Sequence, residues 1–148
     1  MDQTAQPRTI DALLATYGES HRHPTNELIH IACVPVIVFT LLGILWAIHP
    51  VVALAAVAAS MVYYFRLSRP FAWGMLLMSG LMLAVLAMMP PMTVLPLSLA
   101  IFVVAWIGQF IGHKIEGKKP SFIDDLRFLL IGPLFVLGFL YRRLNLAY

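Results

Sequence analysis

Near the end of a long apolar run, Gln109, His113 and Glu116 fall at i, i+4 and i+7, so a helix would present an amide, an imidazole and a carboxylate on one face. Far upstream, Asn26 and His30 repeat the i, i+4 spacing, with His21 and His23 shortly before them. Neutral imidazole binds Fe, Zn, Cu or Ni, and three imidazoles leave coordination positions for water, substrate or oxygen. The same residues have plainer uses. A lone interfacial histidine is usually a hydrogen-bonding bystander, and Asn26 serves equally well as a helix N-cap or as the amide that holds His30. Glu116 reads as a carboxylate ligand, as a partner that orients His113, or as a solvated charge at a helix end. Gln109 is costly to place in an apolar run without a partner, which favours an inward-facing hydrogen bond. Ser121-Phe122-Ile123-Asp124 resembles a capping box with Asp in place of Glu. Asp124 and Asp125 are then helix-start anions, with a ligand or ligand-orienting role left open for Asp124. Lys118 and Lys119 are either an ordinary positive loop or a site for a phospholipid head group or a fatty-acid carboxylate.

The elements that must position these groups belong in lipid. Of 148 residues, 61% are hydrophobic and 11% charged, against about 25% charged in soluble domains; the mean hydropathy is +0.87. The formal charge of +3 comes from small Lys/Arg groups between apolar runs, which suits membrane orientation and excludes a nucleic-acid groove. Cys33 is the single cysteine, so no intramolecular disulfide or thiolate cluster can form, and its simplest role is a small packing residue. Residues 1–30 carry Asp2, Asp11, Glu19 and Glu27 and no uninterrupted apolar core, which argues against a cleavable signal peptide.

The expected architecture is a single all-α integral membrane domain over residues 1–148. Thr9 can cap a short helix whose Ile10, Leu13, Leu14 and Tyr17 form one apolar stripe, an element that should lie on the membrane surface within a cytoplasmic segment, 1–30. Gly18 is a plausible stop, and Pro24 places the next helix start near Thr25 or Asn26. Four apolar runs, Ile31–Ile48, Val51–Phe65, Phe71–Met89 and Met92–Ile111, are each near the roughly 20 residues that span a bilayer. Their tight connections make consecutive spans antiparallel neighbours in an up-and-down bundle over 31–111. A segment at 112–127 follows, and then a fifth stretch, Phe128–Leu140, interrupted by Gly132-Pro133 and ending before Arg142 and Arg143, which suggests a re-entrant or shallow helix within 128–148.

Positive charge precedes span one, follows span two and follows span four, so the N-terminus, the second loop and the segment after span four are cytoplasmic, as is the C-terminus if the last helix is re-entrant. His21, His23, His30 and His113 then share the cytoplasmic face, while His49 alone falls in an opposite loop as an interfacial turn residue. Convergence at one membrane depth is what lifts a metal site above four unrelated imidazoles.

Two long blocks carry a resemblance. The first is Tyr17-Gly18-Glu19-Ser20-His21, then Asn26-Glu27-Leu28-Ile29-His30 and Pro35. The second is Trp106-Ile107-Gly108-Gln109-Phe110-Ile111-Gly112-His113, then Glu116, Lys118-Lys119-Pro120, Ile123-Asp124-Asp125-Leu126 and Gly132-Pro133-Leu134-Phe135. Over nearly the whole chain the sequence resembles the small membrane-embedded 2-hydroxy fatty acid dioxygenases of fatty-acid α-oxidation, whose eukaryotic members act in phytosphingosine breakdown. The resemblance implies an Fe(II) enzyme that shortens 2-hydroxy fatty acids by one carbon with dioxygen, in a bacterial inner membrane or endoplasmic reticulum. It implies His21, His30 and His113 as catalytic iron ligands. Tyr17, Asn26, Gln109, Glu116 and Asp124 become supporting groups or further ligands, and Lys118 or Lys119 receives the substrate carboxylate. Its rivals are a membrane di-iron hydroxylase, for which four facing histidines are too few, and a non-catalytic metal- or lipid-binding membrane protein.

Overall fold

The computed structural model describes residues 8–118 and 128–148, and among them all regular structure is helical. In chain order the helices are α1 (Thr9–Gly18), α2 (Pro24–Ile48), α3 (Pro50–Leu67), α4 (Arg69–Met88), α5 (Pro91–Glu116) and α6 (Gly132–Arg143). Four of them, α2 to α5, are long and apolar enough to cross a membrane, which makes this an integral membrane protein. Large side chains such as Leu77, Leu81, Val104 and Ile107 stay exposed on these helices, as a lipid-facing surface requires.

Proline sets the starts. Pro24, Pro50, Pro70 and Pro91 occupy the first or second position of α2, α3, α4 and α5, where the missing N–H costs no helical hydrogen bond and the fixed φ is already helical. The connections are correspondingly short: His49 alone separates α2 from α3 and Ser68 alone separates α3 from α4. His49 ends one helix and caps the next, its Nδ1 accepting from the Val51 N–H at 3.2 Å. At the chain's first helix the expected Thr9 cap is replaced. Thr9 is already helical, Arg8 stands at the cap position, and its guanidinium grips Asp11 at 2.8 and 3.0 Å.

The helices that carry the polar residues are the long ones. With 25 and 26 residues, α2 and α5 are longer than the roughly 20 residues that span the hydrocarbon. Asn26 and His30 lie in the opening turns of α2; Gln109, His113 and Glu116 lie in the closing turns of α5. Among the described residues these two helices also form the most extensive pairing. Small residues let them close up: a β-carbon on Gly43 would run into Ser98, one on Gly108 would come 2.9 Å from the Cys33 sulfur, and one on Gly112 would strike the Asn26 side-chain carbonyl. Cys33 is thus a packing residue against Gly108.

Below the site, α1 and α6 join α3 and α4 around a core of Ile10, Tyr17, Tyr64, Phe71, Met75, Leu134 and Leu137. Two phenols fasten the C-terminal part to it. The Tyr64 hydroxyl donates to the Leu130 carbonyl at 2.9 Å, and the Tyr141 hydroxyl donates to the Pro70 carbonyl at 2.7 Å. Gly132-Pro133, read from sequence as an interruption of an apolar stretch, instead begins α6, where proline in the first turn is favourable.

Candidate metal centre

Three elements bring one histidine each to the same place. His21 lies on the turn after α1, where its N–H donates to the Gly18 carbonyl at 3.0 Å; His30 comes from α2 and His113 from the last turns of α5. All three are buried, with 6%, 2% and 5% of their surface exposed. One ligating nitrogen can be chosen from each so that all lie within 4.8 Å of one another. Among the described residues no carboxylate or thiol joins them.

Hydrogen bonds on the rings decide which nitrogen faces a ligand. The His21 Nδ1 lies 2.7 Å from the Tyr17 carbonyl and the His30 Nδ1 lies 3.0 Å from the Asn26 carbonyl. A carbonyl oxygen only accepts, so in the neutral rings Nδ1 carries the hydrogen and Nε2 the lone pair. Backbone carbonyls holding the far nitrogen are the usual way a metal-binding imidazole is fixed in tautomer and angle. The Tyr17 ring also stacks on His21, with centroids 4.3 Å apart and planes 11° from parallel, which fixes the plane of that imidazole. Three buried imidazoles, two of them held through Nδ1, are a donor set that fits Fe(II) or another divalent first-row metal.

Glu116 has a job that sequence did not suggest. Its carboxylate accepts from the Arg22 N–H at 3.0 Å, the His23 N–H at 2.8 Å and the Asn26 Nδ2 at 3.0 Å. It clasps the turn that carries His21 to the start of α2. The amide of Asn26, fully buried, gives its second hydrogen to the Ser20 carbonyl at 3.1 Å, so one side chain links both sides of His21 to α5. Asn26 therefore cross-links the site and does not cap α2. That cap is His23, exposed, whose Nδ1 accepts from the Thr25 N–H at 3.2 Å.

Gln109 is buried as expected, and with Tyr17, His30 and Trp106 it bounds a small cavity of about 30 Å³. Its Oε1 has no hydrogen-bond partner among the described residues. Lys118 is exposed and reaches the Ser20 hydroxyl at 3.4 Å, beside His21. Lys119, Asp124 and the capping-box reading lie outside the described residues. His49 stands at the far end of α2, about 28 Å along the helix from His30. Gly112 lies in the second sequence block but has no role there of its own. Its signal was a glycine inside a helix directly before a candidate ligand, and its lack of a side chain is what admits Asn26 and His30 against α5.

The fold and site define a class: a small helical membrane protein with a buried three-histidine centre where the start of α2 meets the end of α5. Residues 8–144 match the family model described as 2-hydroxy-palmitic acid dioxygenase Mpo1-like, and the chain belongs to that family. A relative from Saccharomyces cerevisiae, the 2-hydroxy-palmitic acid dioxygenase MPO1, is 33% identical in an alignment of 138 residues that takes in 87% of this chain and 78% of the relative. No solved structure matches the chain.

Proposed function

We propose that this protein is an Fe(II)-dependent dioxygenase that shortens 2-hydroxy fatty acids by one carbon, with His21, His30 and His113 as the iron ligands. The observation that carries the reading is the buried three-histidine cluster in a chain of this family. Iron held there would supply the electron transfer that dioxygen requires, at coordination positions that three imidazoles leave open. The chain's own residues do the rest. Tyr17 and Asn26 hold the rings, and Glu116 holds the turn that delivers His21. Gln109 Oε1 is the acceptor for the substrate's 2-hydroxyl, and Lys118 attracts the carboxylate at the mouth. The substrate is distinguished from an ordinary fatty acid by a second oxygen donor next to its carboxylate, so the same tail without the hydroxyl partitions into the membrane but does not engage the centre.

The test is to give the purified, Fe(II)-loaded protein a 2-hydroxy acid and a plain fatty acid of equal length under air and to analyse products by mass spectrometry. Oxygen-dependent shortening of the 2-hydroxy acid alone is expected. Equal turnover of both would remove the role of the hydroxyl, and shortening of neither would favour a non-catalytic metal- or lipid-binding protein.

In the membrane, the reading is an up-and-down bundle of four antiparallel spans with α1 on the surface, α6 shallow or re-entrant, and the site and both termini on the cytoplasmic side. The contacts Gly43–Ser98, Gly108–Cys33 and Gly112–Asn26, in which α5 positions fall as α2 positions rise, support opposite directions for that pair. The 12 residues of α6 reach only about 18 Å, which supports the shallow placement. Single cysteines at Gln3, Lys118 and Tyr148 in a Cys33→Ser background are expected to label from the cytoplasmic side. Outside labelling at Tyr148 alone would mean that the last segment crosses.

A further inference from the structure

The small cavity beside His30 and Gln109 is also bounded by Val38 and Leu129. The same two residues bound a larger cavity of about 280 Å³, which follows α2 from Val38 to Leu45 and is closed by α3, by Met75 and Ser79 of α4, and by Leu129, Leu130 and Pro133. The two spaces therefore share a wall at Val38 and Leu129.

We propose, resting on the reaction proposed above, that the larger cavity holds the acyl chain of the 2-hydroxy acid and that Val38 and Leu129 form the partition through which the chain passes from the polar chamber. Three hydroxyls line this space, and each is turned away from an incoming tail by a local carbonyl. Ser60 donates to the Ala56 carbonyl at 2.8 Å, Ser79 to Met75 at 2.7 Å, and Tyr64 to Leu130 at 2.9 Å. What remains facing the space is hydrocarbon. Its volume is close to the lower bound of about 300 Å³ for small-molecule sites and nearly twice the roughly 150 Å³ in which an apolar cavity takes up benzene. Leu41, Leu45, Ala56 and Val57 are only half-buried, so the space opens between α2 and α3 toward lipid, and a tail enters it from the bilayer without crossing water. From His30 to Leu45 the distance along α2 is about 22 Å, so a tail with its head at the histidines would run along this wall of α2. Ala56, a small residue on this wall, is then a determinant of chain length.

The experiment uses the full chain and a long-chain 2-hydroxy acid with a diazirine near its methyl end. After illumination, peptide mass spectrometry is expected to find the label on α2 and α3 wall residues between Val38 and Leu45 and between Ala56 and Tyr64, removed by excess unlabelled 2-hydroxy acid. Label confined to outward residues such as Leu77, Leu81 and Val104, and not removed by competitor, would overturn the proposal. In parallel, Ala56→Phe is expected to shift the preference between long and short 2-hydroxy acids by about tenfold toward the short one while bound iron is unchanged. An unaltered chain-length profile in an iron-retaining variant would also overturn it, and if that variant loses iron the labelling of the unmutated chain decides. Labelling requires no turnover. Competed label in the cavity without oxygen-dependent shortening sinks the reaction and keeps the acyl site, whereas shortening with uncompeted label does the reverse.

Discussion

Changing His21, His30 or His113 to alanine is expected to lower bound iron and oxygen-dependent turnover together, each by more than about 100-fold. The scale follows from metal sites generally, where losing a group that merely orients a ligand costs 10–100-fold and losing a ligand costs more. Each of the three comes from a different element, and no fourth His, Cys, Asp or Glu among the described residues is placed to substitute. His49→Ala is the control. It removes the cap of α3 at the other end of the bundle, a change of about 1 kcal/mol in stability, and leaves the iron in place. Metal analysis of anaerobically purified variants, followed by oxygen uptake with a 2-hydroxy acid, checks both. Full activity in His113→Ala would remove the proposed site.

Glu116→Ala is expected to weaken iron binding by about 10–100-fold while the four spans remain folded. Its carboxylate holds no metal in this scheme; it holds Arg22, His23 and Asn26, and through them the turn bearing His21 and the carbonyl that orients His30. Two of its three donors are exposed N–H groups that water can satisfy, so the loss falls on positioning more than on stability. Glu116→Gln keeps one acceptor oxygen and should recover part of the affinity. Isothermal titration of metal into the apo-protein, set beside its thermal unfolding, separates the two effects. Unchanged affinity with lowered thermal stability would make the clasp a purely structural tie.

The four spans were legible because nothing else accounts for so many apolar residues in four tightly separated runs, and the prolines mark where each begins. Two helix ends were legible as well: the start expected near Thr25 or Asn26 falls at Pro24, and the helical face carrying Gln109, His113 and Glu116 belongs to α5, which runs to Glu116. The histidine positions were readable from spacing and from the two blocks that carry the resemblance. The work of Glu116 was not, since two of its partners are backbone amides 94 and 93 residues away, and an amide leaves no trace in composition. Arg8 displaced Thr9 for a similar reason: the ion pair with Asp11 fixes the start of α1 without using the usual capping chemistry. The apolar cavity is a property of how α3, α4 and residues 129–133 fail to fill the flank of α2, and no single segment encodes it.

The wide separation of the ligands along the chain also orders events during biosynthesis. Two histidines emerge from the ribosome early, but His113 and the Glu116 carboxylate that steadies their turn emerge only with the end of α5. A nascent or truncated chain therefore displays an incomplete ligand set with an unanchored His21. If the centre holds iron as proposed, a full three-histidine set for it would exist only once the last long helix has been made.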